Sequence, residues 1–245
     1  MIESVKQKFK ELRLCNCEKN VEMVTGLAQE KNLSFIQAME RLLDIELEER
    51  EKARVVQRYK QSKLTEKPTI DQFDFAFHSS REKQKSVILR LMDLDFVQEH
   101  MDIILIGNPG VGKSVLAKTI AYAATQAGIK TLFTSTMDML NHLIAAEVDH
   151  SLLKKIKHYT TPDLLVCDEI GYLPLGRQGS NLFFQIISER HQNKSTIITT
   201  NLPFADWGNI FDGTTVATAI ADRLVYNSEI LILEGPSYRK KISER

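Results

Sequence analysis

The stretch DIILIGNPGVGKSVLAKTIAYAATQAG, residues 102–128, decides the fold of this chain. It begins with the apolar run DIILIG, typical of a buried strand, and ends with a long helical segment that stops at Gly128. Between the two, residues 107–114 match the pattern G-x-x-x-x-G-K-[ST]. A strand, a glycine-rich loop and a helix in this order are typical of a loop that binds nucleotide phosphates.

The residues of this loop have separate expected roles. Its glycines permit backbone shapes that turn successive N–H groups toward a phosphate, and the helix N-terminus adds its dipole. Lys113 is expected to reach the β- and γ-phosphates, and the hydroxyl of Ser114 is expected to hold Mg²⁺. The predicted nucleotide-contacting residues are Gly107, Asn108, Pro109, Gly110, Val111, Gly112, Lys113, Ser114 and Val115.

Four further apolar runs predict the rest of a sheet. They are KTLFTS (130–135), DLLVCD (163–168), STIITT (195–200) and EILILE (229–234). Longer helical segments separate them, which is the pattern of a parallel sheet covered by helices on both faces. The predicted fold class is therefore α/β, with a five-stranded parallel sheet. In such sheets ligands bind at the carboxyl ends of the strands.

Two carboxylates stand at the end of the third run. Asp168 ends it and Glu169 follows. Asp168 is expected to stay ionised beside Mg²⁺, while Glu169 can orient and deprotonate a water molecule as a general base. The pair indicates hydrolysis rather than transfer to a small-molecule acceptor. The alternative is two carboxylates that merely face solvent.

Asn201 follows the fourth run, in the sequence TTNLP. Its amide offers both a donor and an acceptor, which suits holding the attacking water or an oxygen of the γ-phosphate. An asparagine before a turn is also an ordinary way to end a strand. Both interpretations are open on the sequence.

The chain is predicted to have two domains. Residues 1–67 contain no proline and a single glycine, and apolar residues recur at helical spacing after a cap at Ser34, so a small all-helical domain is expected there. Residues 68–245 form the predicted ATPase domain. The basic run from Arg50 to Lys67 fits either a solvated helix face or contacts with a phosphate backbone.

Phe73, Phe75 and Phe77 alternate as they would in a strand or an extended linker. They could pack on the adenine base or belong to the core.

Composition narrows the classes of protein. Lysine plus arginine and aspartate plus glutamate both total 32, so no overall charge directs the chain toward nucleic acid, and such binding would need local patches. Three cysteines, no N-terminal apolar segment and no apolar run of membrane length favour a cytoplasmic protein without a membrane partner.

Several blocks together resemble a known family. TIDQFDFAF, GNPGVGKS, PDLLVCDEIGYLPL, STIITTNLPFADWGNIF, ATAIADRLV and GPSYRKK, in this order, resemble the AAA+ ATPases of the IstB type, helper proteins of IS21-like insertion sequences. The same clade includes the DnaC and DnaI helicase loaders. The resemblance covers nearly all of residues 68–241, and its DEIGYLP and TNLPFADW blocks are more specific than the phosphate-binding loop.

The resemblance implies roles for particular residues. Gly107 to Ser114 match the Walker A loop, Asp168 and Glu169 the Walker B pair, and Asn201 the first sensor. Arg223 matches an arginine finger that acts on ATP held by a neighbouring subunit, and Arg239 matches the second sensor. The alternatives are a surface ion pair for Arg223, for example with Asp222, and a basic tail for Arg239.

The resemblance also implies ATP and Mg²⁺ as cofactors, and it implies partners. These are duplex DNA bound with little sequence preference, a cognate transposase, and further copies of the chain in a ring or spiral. The candidate DNA-contacting residues are Lys154, Lys155, Lys157, Arg177, Arg50, Lys52, Arg54 and Arg58. A replicative-helicase loader and a nucleotide-dependent scaffold without hydrolysis are the alternative functions.

Overall fold

A computed structural model describes residues 2–238. The chain divides into two compact units, Met1–Gln57 and Arg58–Arg245, and each is considered by itself. The expected domain boundary after residue 67 lies a little further along the chain. Among residues 2–238, no helix combines the length and the apolar character needed to cross a membrane.

The first unit is helical. It contains α1 (Ile2–Glu11), α2 (Cys15–Glu30) and most of α3 (Phe35–Gln61). The start of α3 is a capping box, because the Ser34 hydroxyl accepts from the Gln37 N–H while the Gln37 side chain accepts from the Ser34 N–H. A small core of Cys17, Val21, Val24 and Leu42 holds the helices together.

The second unit alternates strands and helices. Two short 3₁₀ helices, Ile70–Gln72 and Phe75–Phe77, open it, and a third spans Phe204–Asn209. The remaining elements are α4 (Ser79–Lys83), α5 (Lys85–Leu91), α6 (Asp95–Gln98), β1 (Asp102–Gly107), α7 (Lys113–Gln126), β2 (Thr131–Ser135), α8 (Thr136–Val148), α9 (Leu152–Thr160), β3 (Leu164–Ile170), α10 (Gly176–Arg190), β4 (Ser195–Thr200), α11 (Thr214–Val225) and β5 (Ser228–Leu233).

All five strands form one parallel sheet in the order β2-β3-β4-β1-β5. The predicted α/β class with a five-stranded parallel sheet is confirmed. Apolar clusters cover both faces of the sheet, so its strands are buried between layers of helices. Because β3, β4 and β1 are neighbours, the residues that follow their carboxyl ends come together at one edge.

The segment with the three alternating phenylalanines is not a strand. Its residues form the two short 3₁₀ helices and the turn between them. Phe73 is buried in the core beside the sheet, and Phe75 packs edge-on against it. The alternation of large and small residues therefore reflects successive tight turns rather than a pleated strand.

A buried aspartate lies at the start of β1. Asp102 is 7% exposed, and its Oδ1 accepts from the Thr196 N–H at 2.6 Å. Burial raises the pKa of Asp102 from 3.8 to about 7, against the opposing effects of the Thr196 hydrogen bond and the charge of Arg190. The charged form of this carboxyl is therefore less favourable in the folded state than in the unfolded chain.

We expect Asp102→Asn to stabilise the protein increasingly as the pH rises. The folded-state pKa lies above the unfolded value, so the contribution of the native carboxyl is full below about pH 4 and is lost as the pH rises through 7. Between pH 5 and pH 8, the stability difference in favour of the variant should grow by about 2–3 kcal/mol. Urea unfolding at several pH values measures it, with exposed Asp93→Asn as the control. A pH-independent difference would contradict this explanation.

Candidate nucleotide-binding site

The loop between β1 and α7 has the backbone of a phosphate cradle. Gly110 (φ +83°) and Gly112 (φ +102°) both adopt left-handed conformations that side chains oppose. A Cβ on Gly112 would also lie 2.7 Å from Nη2 of Arg81. Within residues 2–238, the N–H groups of these two glycines donate to no protein acceptor, so they can serve an anion.

Lys113, the first residue of α7, folds back over this loop. Its Nζ donates to the carbonyl oxygens of Gly107 at 2.7 Å and Asn108 at 3.0 Å. These contacts keep the ammonium at the loop, where phosphate oxygens could replace the carbonyls as acceptors.

The two expected metal ligands are already neighbours. The Ser114 hydroxyl donates to Oδ1 of Asp168 at 2.9 Å, and the Thr199 hydroxyl donates to the same oxygen. Asp168 is 7% exposed and lies near the carboxyl end of β3. A hydroxyl and a carboxylate are hard oxygen ligands of the kind that Mg²⁺ prefers alongside phosphate oxygens and waters. The residues present therefore fit the ion.

Glu169 lies in a β-bulge. The pairing of β3 with β4 shifts register between Cys167 and Ile170, and Glu169 has φ +62°. Its N–H donates to the Thr199 hydroxyl at 2.8 Å, which holds this unfavourable backbone conformation in place. Asp168 is buried and Glu169 is exposed, so the bulge gives two consecutive carboxylates different surroundings.

One cleft brings the predicted chemistry together. It is lined by Pro109, Gly110, Lys113, Ser114, Glu169, Tyr172, Thr199, Thr200 and Asn201. Glu169 of β3 and Asn201, which directly follows β4, thus share a cavity with the lysine and serine of α7. The arrangement offers a base, an amide, a cation and a hydroxyl around one space, as the transfer of a phosphoryl group to water requires.

A second cleft lies on the other flank of the loop. It is lined by Gln72, Phe73, Asp74, Arg81, Gly110, Gly112, Lys113, Ser114, Val115 and Tyr238. Its aromatic side chains and its contact with the loop suit a purine base. Tyr238 also donates its N–H to the Gly110 carbonyl at 2.9 Å, so the C-terminal segment contacts the loop directly. Arg239, the predicted second sensor, lies outside the described residues.

Arg81 supports the loop from this second cleft. It is 3% exposed, and its Nε and Nη2 donate to the Val111 carbonyl at 3.2 and 2.5 Å, while Nη1 donates to the Asp74 carbonyl at 2.9 Å. Burial lowers the pKa of Arg81, although the nearby charge of Asp74 opposes this effect. In a trans peptide, the C=O and the N–H of the next residue point in opposite directions. Because Arg81 binds the Val111 carbonyl, the Gly112 N–H points away from Arg81.

Comparison with known proteins identifies the family of this chain. The sequence model of the family described as IstB-like ATP binding protein matches residues 7–245. The chain belongs to the IstB-like family. One relative is the putative ATP-binding protein of insertion sequence IS232 from Bacillus thuringiensis subsp. berliner, 34% identical over 94% of this chain and 91% of the relative. Another is that of insertion sequence IS21 from Pseudomonas aeruginosa, 34% identical over 94% and 86%.

Solved structures support the fold of this IstB-like chain. The DnaC helicase loader is similar over 72% of this chain and 98% of its own length, with a TM-score of 0.56 and 25% identity. Both the resemblance and the AAA+ P-loop fold expected from the sequence are confirmed.

The IstB-like chain places Arg223 on α11, half-buried. Its Nη1 donates to the Ala219 carbonyl at 2.8 Å, and its guanidinium lies over the ring of Phe184 at 4.6 Å. In the part of the chain that the structure describes, Arg223 makes no ion pair with Asp222 or another carboxylate. It lines neither cleft beside the loop.

The candidate DNA-contacting residues fall into different settings. Three of them, Arg50, Lys52 and Arg54, each pair with a glutamate of α3. Arg58 donates to the Thr125 carbonyl, and Arg177 is exposed at the start of α10. Lys154, Lys155 and Lys157 lie on α9.

Sequence reasoning missed two residues of the site, Thr199 and Arg81. Thr199 is 1% exposed within β4, where a threonine is also an ordinary strand residue. Arg81 stands in a charged segment with no motif around it. Neither position carried a signal beyond its residue type.

We expect Arg81→Ala to weaken ATP binding by at least roughly tenfold, the value of one lost charged hydrogen bond. Lysine keeps the charge but cannot fork onto the Val111 carbonyl, so Arg81→Lys should fall between the alanine variant and the native protein. Binding of a fluorescent ATP analogue measures the affinity, and thermal unfolding without nucleotide measures the fold. Arg90→Ala, which removes an exposed ion pair with Glu229, is the control. Native affinity in Arg81→Ala would exclude a role for this residue in the loop.

Proposed function

We propose that this protein hydrolyses ATP while assembled on duplex DNA, and that the assembly deforms the DNA and recruits and stimulates a partner transposase. The contact network of Ser114, Asp168, Thr199 and Glu169 beside the glycine loop supports hydrolysis most directly. The naming of the relatives as insertion-sequence ATP-binding proteins supports the role in transposition.

The proposed reaction uses the groups around the first cleft. The Glu169 carboxylate takes a proton from a water molecule whose oxygen attacks the γ-phosphorus, while Asn201 orients the water or a γ-phosphate oxygen. The bond from the γ-phosphorus to the bridging oxygen breaks, and ADP leaves with the electron pair. Lys113 and the loop N–H groups hold the phosphate oxygens. Mg²⁺ held by Ser114 and Asp168 would neutralise charge on the β- and γ-phosphates.

Two arginines complete the proposed active site. Arg223 would stabilise the γ-phosphate charge on ATP bound by the neighbouring subunit, and Arg239 would lie over the phosphates of its own subunit. A guanidinium suits both tasks because it stays charged and can fork onto two oxygens. The absence of Arg223 from both clefts of its own chain is consistent with action on a neighbour.

The function is tested by measuring phosphate release and particle size with ATP, with duplex DNA and with both. We expect the largest particles and the fastest hydrolysis with both ligands, and an affinity for random duplex that falls steeply with salt. Phosphate release at the same rate with and without DNA, from a particle that stays monomeric, would contradict the proposal.

A helicase loader is the second candidate, because the DnaC loader is similar over nearly its whole length. Pull-down of a replicative helicase, compared with pull-down of a cognate transposase, distinguishes the two functions.

A further inference from the structure

The second unit contains a cleft at the edge of the sheet opposite to the nucleotide site. It is lined by the amino-terminal end of β2 and by the segment before β3. The glycine loop, by contrast, follows the carboxyl end of β1, which runs parallel to these strands. The side chains of Arg58, Lys60, Lys63, Lys130 and Lys157 line it together with His158, and it is here called the cationic cleft. The other lining residues are Gln61, Thr131, Leu132, Thr161 and Pro162, so no carboxylate is among them.

The fold holds the walls of the cationic cleft in fixed positions. After α3, the chain pairs with the sheet through a hydrogen bond from the Phe133 N–H to the Ser62 carbonyl at 2.8 Å. Lys130 is held where its carbonyl accepts from the Leu164 N–H at 3.1 Å. The end of α9 and the segment after it are held by the buried guanidinium of Arg190, which donates to the carbonyls of Tyr159 at 3.1 Å and Pro162 at 2.8 Å. The cleft is therefore a preformed surface.

Helix capping does not account for these cations. Basic residues often lie at helix C-termini because they complement the dipole, and α3 and α9 both end at this cleft. At the end of α9, however, Arg190 already donates to the terminal carbonyls. At the end of α3, the Ser62 hydroxyl donates to the Tyr59 carbonyl and the Ser62 N–H to the Arg58 carbonyl. Terminal carbonyls of both helices are thus satisfied by groups other than the lysine side chains.

The lysines of the cationic cleft also lack acidic partners. Across residues 2–238, no carboxylate oxygen lies within 4.0 Å of Nζ in Lys60, Lys63, Lys130 or Lys157. Burial lowers the pKa of His158, and the nearby charges of Lys63 and Lys155 lower it further. Like charges held together in this way favour an anionic ligand.

We propose that the cationic cleft binds the phosphate backbone of duplex DNA. The identity of the ligand as DNA rests on the proposed function, and its binding surface is inferred from the cleft. A protein partner would favour an apolar or aromatic centre, and this lining offers only Leu132 and Pro162 as apolar residues. Flexible lysines around a cleft with no carboxylate in its lining instead suit phosphates, whatever the base sequence. Arg58 and Lys157 are far apart in sequence. In the structure they line the same cleft, together with Lys60, Lys63, Lys130 and His158.

The test measures binding of the full chain, with ATP, to a fluorescent 30-bp duplex of random sequence over a range of salt concentrations, with about 0.1 M as the reference. Lys130→Gln/Lys157→Gln should weaken binding by about 50–100-fold at the reference salt, and the log–log salt slope should become shallower by about 2 units. The control, Lys83→Gln/Arg90→Gln, removes the same charge from exposed positions outside the cleft and should change affinity by less than about threefold.

The outcomes separate the two proposals. Native binding in Lys130→Gln/Lys157→Gln, or an equal loss in the control, overturns the cleft as the DNA site while leaving the function intact. A native chain that binds no duplex at any salt concentration overturns the proposed function itself. Inorganic phosphate at matched ionic strength should not compete with the duplex, and competition at millimolar concentration would assign the cleft to a free anion. Circular dichroism and ATP binding should be the same in all variants.

Discussion

Glu169→Gln should lower the rate of ATP hydrolysis by about 10²–10⁴-fold while leaving ATP binding intact. Glutamine keeps the size and polarity of the side chain but cannot accept the proton of the attacking water. The backbone contact that holds residue 169, from its N–H to the Thr199 hydroxyl, does not involve the side chain, so the bulge should persist. Ser114 and Asp168 are unchanged.

The same substitution should preserve DNA-bound assemblies. If hydrolysis ends the bound state, particles formed with ATP and duplex DNA should persist for much longer in Glu169→Gln than in the native protein. Light scattering after dilution measures their lifetime, and phosphate release measures turnover. The control is Glu189→Gln, an exposed glutamate on α10. Near-native turnover in Glu169→Gln would assign the base to another residue.

Arg223→Ala should slow hydrolysis by about 10³–10⁵-fold while each subunit still binds ATP, because the proposed finger would act on ATP held by a neighbour. The native side chain rests on Phe184 and the Ala219 carbonyl, so its removal costs some packing. Arg223→Lys retains a charge and a long side chain, so it is the control for the lost packing. It should fold like the native protein yet remain slow, because an ammonium cannot fork onto two oxygens.

Mixing variants tests whether the finger acts between subunits. Arg223→Ala has an intact nucleotide loop, and Lys113→Ala has an intact finger. In a mixed assembly, some interfaces combine the loop of the first with the finger of the second, so activity should return in part. If the two variants co-assemble on DNA and remain inactive, Arg223 does not act in trans.

Periodicity and spacing predicted most of the scaffold. The runs 102–107 and 195–200 coincide with β1 and β4, and the other three strands differ by one or two residues at their ends. These predictions succeed because strands buried on both faces have a strong apolar signature. The loop motif and the strand-end rule then placed Lys113, Glu169 and Asn201 in one cleft.

Tertiary contacts determined the rest of the candidate site. The bulge at Glu169 depends on a hydroxyl from the neighbouring strand, and the support of Val111 depends on an arginine 30 residues earlier. The phenylalanine segment has a strand-like alternation but lies in 3₁₀ turns, because Phe73 packs into the core and Arg81 lies against its ring. Such pairings join distant residues, and a local pattern does not contain them.

Thr199 has a consequence for how this site tolerates change. One hydroxyl on β4 contacts both the carboxylate of Asp168 and the backbone of Glu169, so the spacing of these two residues is set inside the sheet. The segment that follows β3, beginning at Gly171, does not set that spacing. Beyond Tyr172, which lines the cleft, variation in that segment is therefore expected to leave the spacing of the two carboxylates unchanged.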